Sequence, residues 1–288
     1  MKKLLIILII MVAAVPLSAR KTQKEAAVTC MSFNIRFITP KDQGERAWTV
    51  RRDAIINMFD DIRPDVVGIQ EQSKESVDWL MENLPDYEFY VPDYEEGITL
   101  PKGFSMVIMW KKDRFEVKDC GRFFLSDTPD EVSKGWDSNH YRNTAWVLLK
   151  DRQTGRKFYC FDTHLDHRGP LAKENGVLTN VEMVRKIAGK RSSVILMGDM
   201  NIVRSGQQGL FLDPFYDYMQ SAGDTALEID RAKTFNGYNE DSSTHRLLDY
   251  IFYRNAEADK FDVIDSPDYG VRFISDHYPI IVKFKFIK

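Results

Sequence analysis

Along the chain, short apolar runs alternate with stretches whose apolar residues recur at helical spacing, and run after run stops abruptly on a polar residue. The runs predict strands at 28–35, 65–70, 87–91, 105–111, 114–119, 122–125, 143–150, 157–163, 194–199, 248–253, 261–264 and 278–286. Val50, Ile55, Met58, Phe59 and Ile62 carry the helical period over 49–62, and further helices are expected at 73–83, about 171–189 and 210–221. Roughly twelve strands are too many for one open layer, and several are apolar on both faces. The pattern therefore predicts an α/β protein in which two mixed sheets pack face to face, with helices covering the outer sides.

The polar residues that end the runs are of a particular kind. Asn34 closes "VTCMSFN", Glu71 follows "DVVGIQ", His164 closes "KFYCFDTH", and Asp199 and Asn201 follow "SVILMG". Asp249 opens "DYIFY", and Asp276 and His277 stand just before the last strand in "ISDHYPIIVKF". Asp and Asn are common turn residues because their side chains bond nearby backbone, so each taken alone reads as a turn or a cap. Glu71 is different, since Glu favours neither turns nor strands. If these ends share one rim, four carboxylates, two imidazoles and two amides converge in loops that a rigid sheet positions. Such oxygen-rich sets suit Mg²⁺, or Mn²⁺ in its place, and do not suit structural zinc. The chain has no serine elbow and no glycine-rich phosphate loop. Arg142, before the strand "NTAWVLL", is either a planar clamp for phosphate or a surface ion pair. Asp166 and His167 of "THLDH" either meet substrate or begin the following helix.

Composition sets limits without choosing a substrate. The chain has 288 residues, 43% hydrophobic and 29% charged, with a formal net charge of −3. Lys2 and Lys3, an apolar stretch from Leu4 to about Val15, and small residues ending at Ala19 are laid out as a signal peptide over 1–19. The apolar run is shorter than the ~20 residues that span a bilayer, so a secreted or periplasmic protein with no membrane span after processing is expected. No linker, repeat or charge block interrupts the rest, and 27–288 is read as one domain. The negative balance lacks the basic footprint of a protein that forms stable nucleic-acid complexes. Cys30, Cys120 and Cys160 are an odd set without metal spacing, read as small hydrophobes or as one disulfide plus a thiol.

"SFNIR", "GIQE", "THLDH", "MGDMN", "DYIF" and "SDHYP" together resemble the endonuclease/exonuclease/phosphatase (deoxyribonuclease I-like) superfamily in order and approximate spacing, over about 28–286. "FFLSDTPDEVSKGWD" resembles its secreted bacterial members. The resemblance implies a four-layer α/β sandwich, which agrees with the two-sheet pattern. It also implies roles: Glu71 as principal metal ligand with Asn34 and Asp276, and Asp199 as the group that orients or deprotonates the attacking water. Asn201 is implied as a donor to that water or to a phosphoryl oxygen, and His164 and His277 as imidazoles on the phosphoryl group. Asp249 is implied as the carboxylate that orients His277. The expected function is that of a secreted, divalent-metal-dependent phosphodiesterase or phosphatase acting on a phosphorylated small molecule, lipid head group or nucleic acid. A scavenging nuclease and a sphingomyelinase-like hydrolase share this chemistry. A non-catalytic binding protein on the same scaffold would be expected to lack one of these residues, and none is replaced.

Overall fold

Two parallel pairs of strands form the centre of the molecule, each covered on both faces as their unbroken apolar sequences require. They are β1 (Val28–Asn34) with β2 (Val66–Gln70), and β7 (Lys157–His164) with β8 (Ser193–Asp199). The structure is a computed structural model and describes residues 26–97, 100, 105–265 and 269–287. The expected signal peptide at 1–19 lies outside the described residues.

Around the first pair a seven-stranded sheet adds β3 (Tyr87–Tyr90), β4 (Val107–Lys111), β10 (Glu228–Ile229), β12 (Ala256–Val263) and β13 (Ile280–Phe286), in the order β10-β12-β13-β1-β2-β4-β3. Around the second, a six-stranded sheet adds β5 (Phe115–Phe124), β6 (Asn143–Asp151), β9 (Gln220–Ser221) and β11 (Asp249–Arg254), in the order β5-β6-β7-β8-β11-β9. Both sheets mix parallel and antiparallel neighbours. Cys30, Val66, Ile108, Val147, Cys160, Met197, Ile251 and Val282 belong to the core between the sheets. On the outer side of the first sheet, Ile55, Met58 and Phe59 of α1 (Trp48–Ile62) and Val77 and Leu80 of α2 (Lys74–Asn83) pack in a second core with Met31, Phe33 and Val67. On the outer side of the second, Val177 and Val184 of the long helix at Pro170–Ala188 join Phe161, Leu196 and Phe252. Four layers result: helices, sheet, sheet, helices.

The expected elements differ from the observed ones where polar residues conceal strand pairing. The strands expected at 114–119 and 122–125 are one continuous β5, whose register shifts between Val117 and Asp119. That irregularity carries the strand through its polar middle. β12 begins at Ala256 rather than 261, because "AEADK" pairs with β13 while its charged residues face outward. The helix expected at 210–221 is a 3₁₀ stretch over Gln207–Leu212, a six-residue helix over Asp213–Tyr218, and β9. Cys30 and Cys160 are buried between the sheets, Cys120 is exposed, and no disulfide forms among the three. Among the described residues no helix is long and apolar enough to cross a membrane.

Gly198 is the tightest point of the parallel pairing that leads to the rim. Its φ is +149°, and a Cβ there would fall 1.8 Å from the Thr163 carbonyl oxygen. Gly198→Ala is expected to cost about 3 kcal/mol or more through overpacking and backbone displacement. The urea unfolding midpoint checks this, and an unchanged midpoint would contradict so close an approach.

Candidate active site

Strand register delivers most of the site. His164 ends β7 directly opposite Asp199, the last residue of β8, and Asp199 in turn lies opposite Asp249, the first residue of antiparallel β11. In the other sheet Asn34 ends β1 opposite Gln70, and Glu71 leaves β2 in the left-handed region with φ +59°. Asp276 and His277 enter from the segment before β13, where His277 pairs with Phe235 across an isolated bridge and the Phe235 ring meets the imidazole edge-on. The turn after β8 is of the ordinary Asx kind: Asp199 Oδ1 accepts from the Asn201 N–H at 2.8 Å, with Asn201 at φ +50°. Turn-forming and site-forming roles thus fall on the same carboxylate.

Asp199 is the point of convergence. Its Oδ2 accepts from Asn34 Nδ2 of the other sheet at 3.1 Å, and lies 3.4 Å from His164 Nε2 and 3.7 Å from His277 Nε2. Burial pushes its pKa up to about 7 against the opposing pull of His277, with Asp249 and Glu71 adding to the rise. The two imidazoles are driven in opposite directions. His277 Nδ1 bonds Asp249 Oδ2 at 2.9 Å, and the carboxylates of Asp249 and Asp199 outweigh burial to raise its pKa well above the ordinary value. Burial, then Arg142 and His277, hold His164 well below its ordinary value, so it is neutral. Asn201 Nδ2 sits 3.0 Å from His164 Nε2 and also donates to the Leu165 carbonyl. One imidazole therefore carries charge and the other supplies only a neutral ring.

Glu71 and Asp276 form the acidic side. Glu71 accepts from the Phe37 N–H at 3.3 Å, and its pKa is raised by burial and then by the charge of Asp276. Asn34 Oδ1 accepts from the Arg36 N–H, and Arg36 Nη1 lies 3.4 Å from Asp276 Oδ2. Two crowded carboxylates with an amide oxygen nearby are a donor set that fits a hard divalent cation. Asp199, Asp249 and His277 also have ligand atoms within 4.8 Å of one another. Their chemistry is that of an imidazolium held between carboxylates, and a protonated imidazole is no metal ligand.

Arg142 is not on the surface, which removes the surface ion pair as a reading of it. It is 5% exposed, lies 3.6 Å from Asp166 Oδ2, and feels the charges of Glu71 and Asp199. Asp166 is fully engaged by its own loops, accepting from Ser138 Oγ and from the N–H groups of Asn139, Arg168 and Gly169. The side chain thus stands behind Arg142, with its acceptor sites spent on backbone and serine.

Several residues that sequence reasoning passed over support this geometry. Arg51, buried in α1, donates to the carbonyls of Arg46, Ile35 and Ile274, joining the segments that carry Asn34 and Asp276. Gln70 Nε2 donates across the sheet–sheet interface to Asp162 Oδ1 at 2.5 Å, tying the neighbour of Glu71 to the strand of His164. Burial raises the Asp162 pKa well above the carboxylate range despite the donors that reach it. Gly68 leaves room for that carboxyl, since a Cβ there would fall 2.7 Å from it. A charged residue inside an otherwise apolar strand, as in "YCFDTH", was the one available signal.

Buried carboxylates and imidazoles thus gather on the shared rim of two stacked sheets in an α/β sandwich. The chain belongs to the endonuclease/exonuclease/phosphatase family, whose model matches residues 31–277, and members of this family are phosphoester hydrolases. A family member from Bacteroides vulgatus superposes with a TM-score of 0.81 at 25% identity, covering 91% of this chain and 99% of that one. A mannosyl-6-phosphatase from Bacteroides thetaiotaomicron superposes with a TM-score of 0.80 at 26% identity, covering 90% and 100%. An uncharacterised protein of Acanthamoeba polyphaga mimivirus is 24% identical over 252 residues, 83% of this chain and 92% of its own length.

Proposed function

We propose that the protein is an exported, divalent-metal-dependent phosphoester hydrolase that removes the phosphoryl group from a small phosphorylated substrate, with a sugar phosphate as the leading class. The observation that carries the reading is the convergence on Asp199, raised in pKa to about 7, of donors from both sheets. The similarity to a mannosyl-6-phosphatase over that protein's whole length supports the sugar-phosphate class. The layout of residues 1–19 supports export.

Glu71, Asp276 and the Asn34 amide oxygen would hold Mg²⁺, which supplies positive charge to the phosphoryl oxygens as negative charge builds on them. Asp199 takes a proton from the attacking water, and Asn34 Nδ2 and the Asn201 N–H keep its two oxygens aimed. His277, protonated through Asp249, donates Nε2–H to a phosphoryl oxygen. His164 contributes its neutral ring and Asn201 its amide to the same group. Arg142 offers a guanidinium, and Asp166 acts only by positioning it.

The test is turnover of an activated phosphomonoester and an activated phosphodiester, with Mg²⁺, with Mn²⁺ and with chelator. Chelator-sensitive hydrolysis of the monoester, faster than of the diester, is expected. Absence of turnover on both would overturn the reading. The pH profile follows from the same groups. Asp199 is a base only when ionised, so kcat/KM at limiting Mg²⁺ should rise with pH up to about 7. His277 must keep its proton, so the alkaline fall should come well above its ordinary range. A profile flat from pH 5 to 8 would exclude Asp199 as the base.

A further inference from the structure

Beside Arg142 the loops 136–142 and 165–169 bring together two histidines that the reading above does not use. His140 and His167 lie with ring centroids 5.6 Å apart and planes inclined by 32°, and Arg142 Nη2 is 3.3 Å from His167 Nδ1. A guanidinium can only donate, so His167 Nδ1 accepts and its proton sits on Nε2, directed away from Arg142. His167 is exposed and His140 half-buried against it.

The balance of donors and acceptors here is lopsided. The carboxylates of these two loops are Asp137 and Asp166. Asp137 caps the start of the helix at Pro170–Ala188, accepting from the N–H groups of Ala172 and Leu171. Asp166 is spent on four donors from its own loops. The carboxylates of both loops are thus committed to backbone and serine donors, beside a guanidinium and two imidazoles whose influence reaches His164. A surface rich in N–H donors selects a ligand that only accepts, which is an anionic oxygen group rather than a hydroxyl. Because Arg142 also feels Glu71 and Asp199, the cluster adjoins the hydrolytic centre.

We propose that His167 and His140, with Arg142 behind them, hold a second anionic group of the substrate beside the phosphoryl group that is removed. This rests on the phosphoester-hydrolase reading and adds a substrate class: phosphoesters whose organic part carries a further phosphate or carboxylate. The pair acts on specificity, through the anchored end of the substrate.

The experiment compares kcat/KM, with Mg²⁺, for fructose 1,6-bisphosphate against fructose 6-phosphate and for 6-phosphogluconate against glucose 6-phosphate. The two pairs separate a phosphate from a carboxylate as the second group. The wild type should favour the doubly anionic member of at least one pair by about tenfold, the effect of one hydrogen bond to a charged group. His140→Ala with His167→Ala should bring that ratio close to one, and His167→Gln, which retains an N–H donor, should restore part of it. Thermal shift with the same ligands gives a reading that does not need turnover: the doubly anionic compound should stabilise the wild type more than its partner does, and the double variant equally. A wild-type ratio near one in both pairs, or a ratio retained in the double variant, would overturn the proposal. Loss of hydrolysis of all four compounds with the binding difference intact would instead count against the hydrolase reading alone.

Discussion

Asp199→Ala is expected to lower kcat/KM on an activated phosphomonoester roughly 10²- to 10⁴-fold, the usual loss when a general base is removed. The side chain is 1% exposed, and its partners are Asn34, Asn201 and two imidazoles, so its removal takes away the base and the group on which the others are aligned. The carboxylate also sits ionised at a cost, because burial raises its pKa to about 7. Deleting it should therefore leave the melting temperature unchanged or higher, which separates a catalytic loss from a folding one. His277→Ala should fall in the same range of activity and in addition abolish the alkaline limb of the pH profile. Retention of more than about a tenth of the wild-type rate by Asp199→Ala would exclude the base assignment.

Arg51→Leu is expected to destabilise the fold. The guanidinium is fully buried, and among the described residues its hydrogen bonds go to backbone carbonyls, those of Arg46, Ile35, Ile274 and Arg36. Leucine leaves the buried Ile35 and Ile274 carbonyls without this donor, at about 1–3 kcal/mol each. Burial lowers the Arg51 pKa, so the charge itself is held at some cost and part of the penalty is returned. A net loss of about 3 kcal/mol is expected, read as a lower urea midpoint. Activity should fall as well, because Asn34 and Asp276 flank Ile35 and Ile274. Arg51→Lys, with one nitrogen for four carbonyls, should recover a minor share. An unchanged midpoint in Arg51→Leu would mean that the carbonyls find water or other donors.

How much could be read in advance depended on whether a feature was local along the chain. The strand ends at Asn34, Glu71, His164 and Asp199 were legible because a buried run stops on a polar residue within one or two positions. Asp249 was legible for the mirrored reason, as the polar start of a buried run. Arg51 was not: a lone arginine in an amphipathic helix has the same local signature whether it faces water or the carbonyls of other segments, one of them 223 residues away. Gln70 and Asp162 are 92 residues apart, and their meeting depends on which face of each sheet is turned inward. Asp166 was legible as part of a motif, but not as a residue whose oxygens are consumed by the loops on either side. The first half of β12 escaped because a strand can bury one side only, and "AEADK" does that with alanines.

The halves of the site belong to different sheets, Asn34 and Glu71 to one, His164, Asp199 and Asp249 to the other, and two side-chain hydrogen bonds join them there: Asn34 to Asp199, and Gln70 to Asp162. Catalytic competence is therefore a property of how the layers are seated, and either layer alone would hold an incomplete set. A slip of about 1 Å between layers can cost on the order of 10²-fold in rate while leaving every helix and strand formed. Heat, mild denaturant or a cavity placed in the inter-sheet core should thus silence the enzyme before circular dichroism registers any change, making turnover a strain gauge for the seam between the sheets.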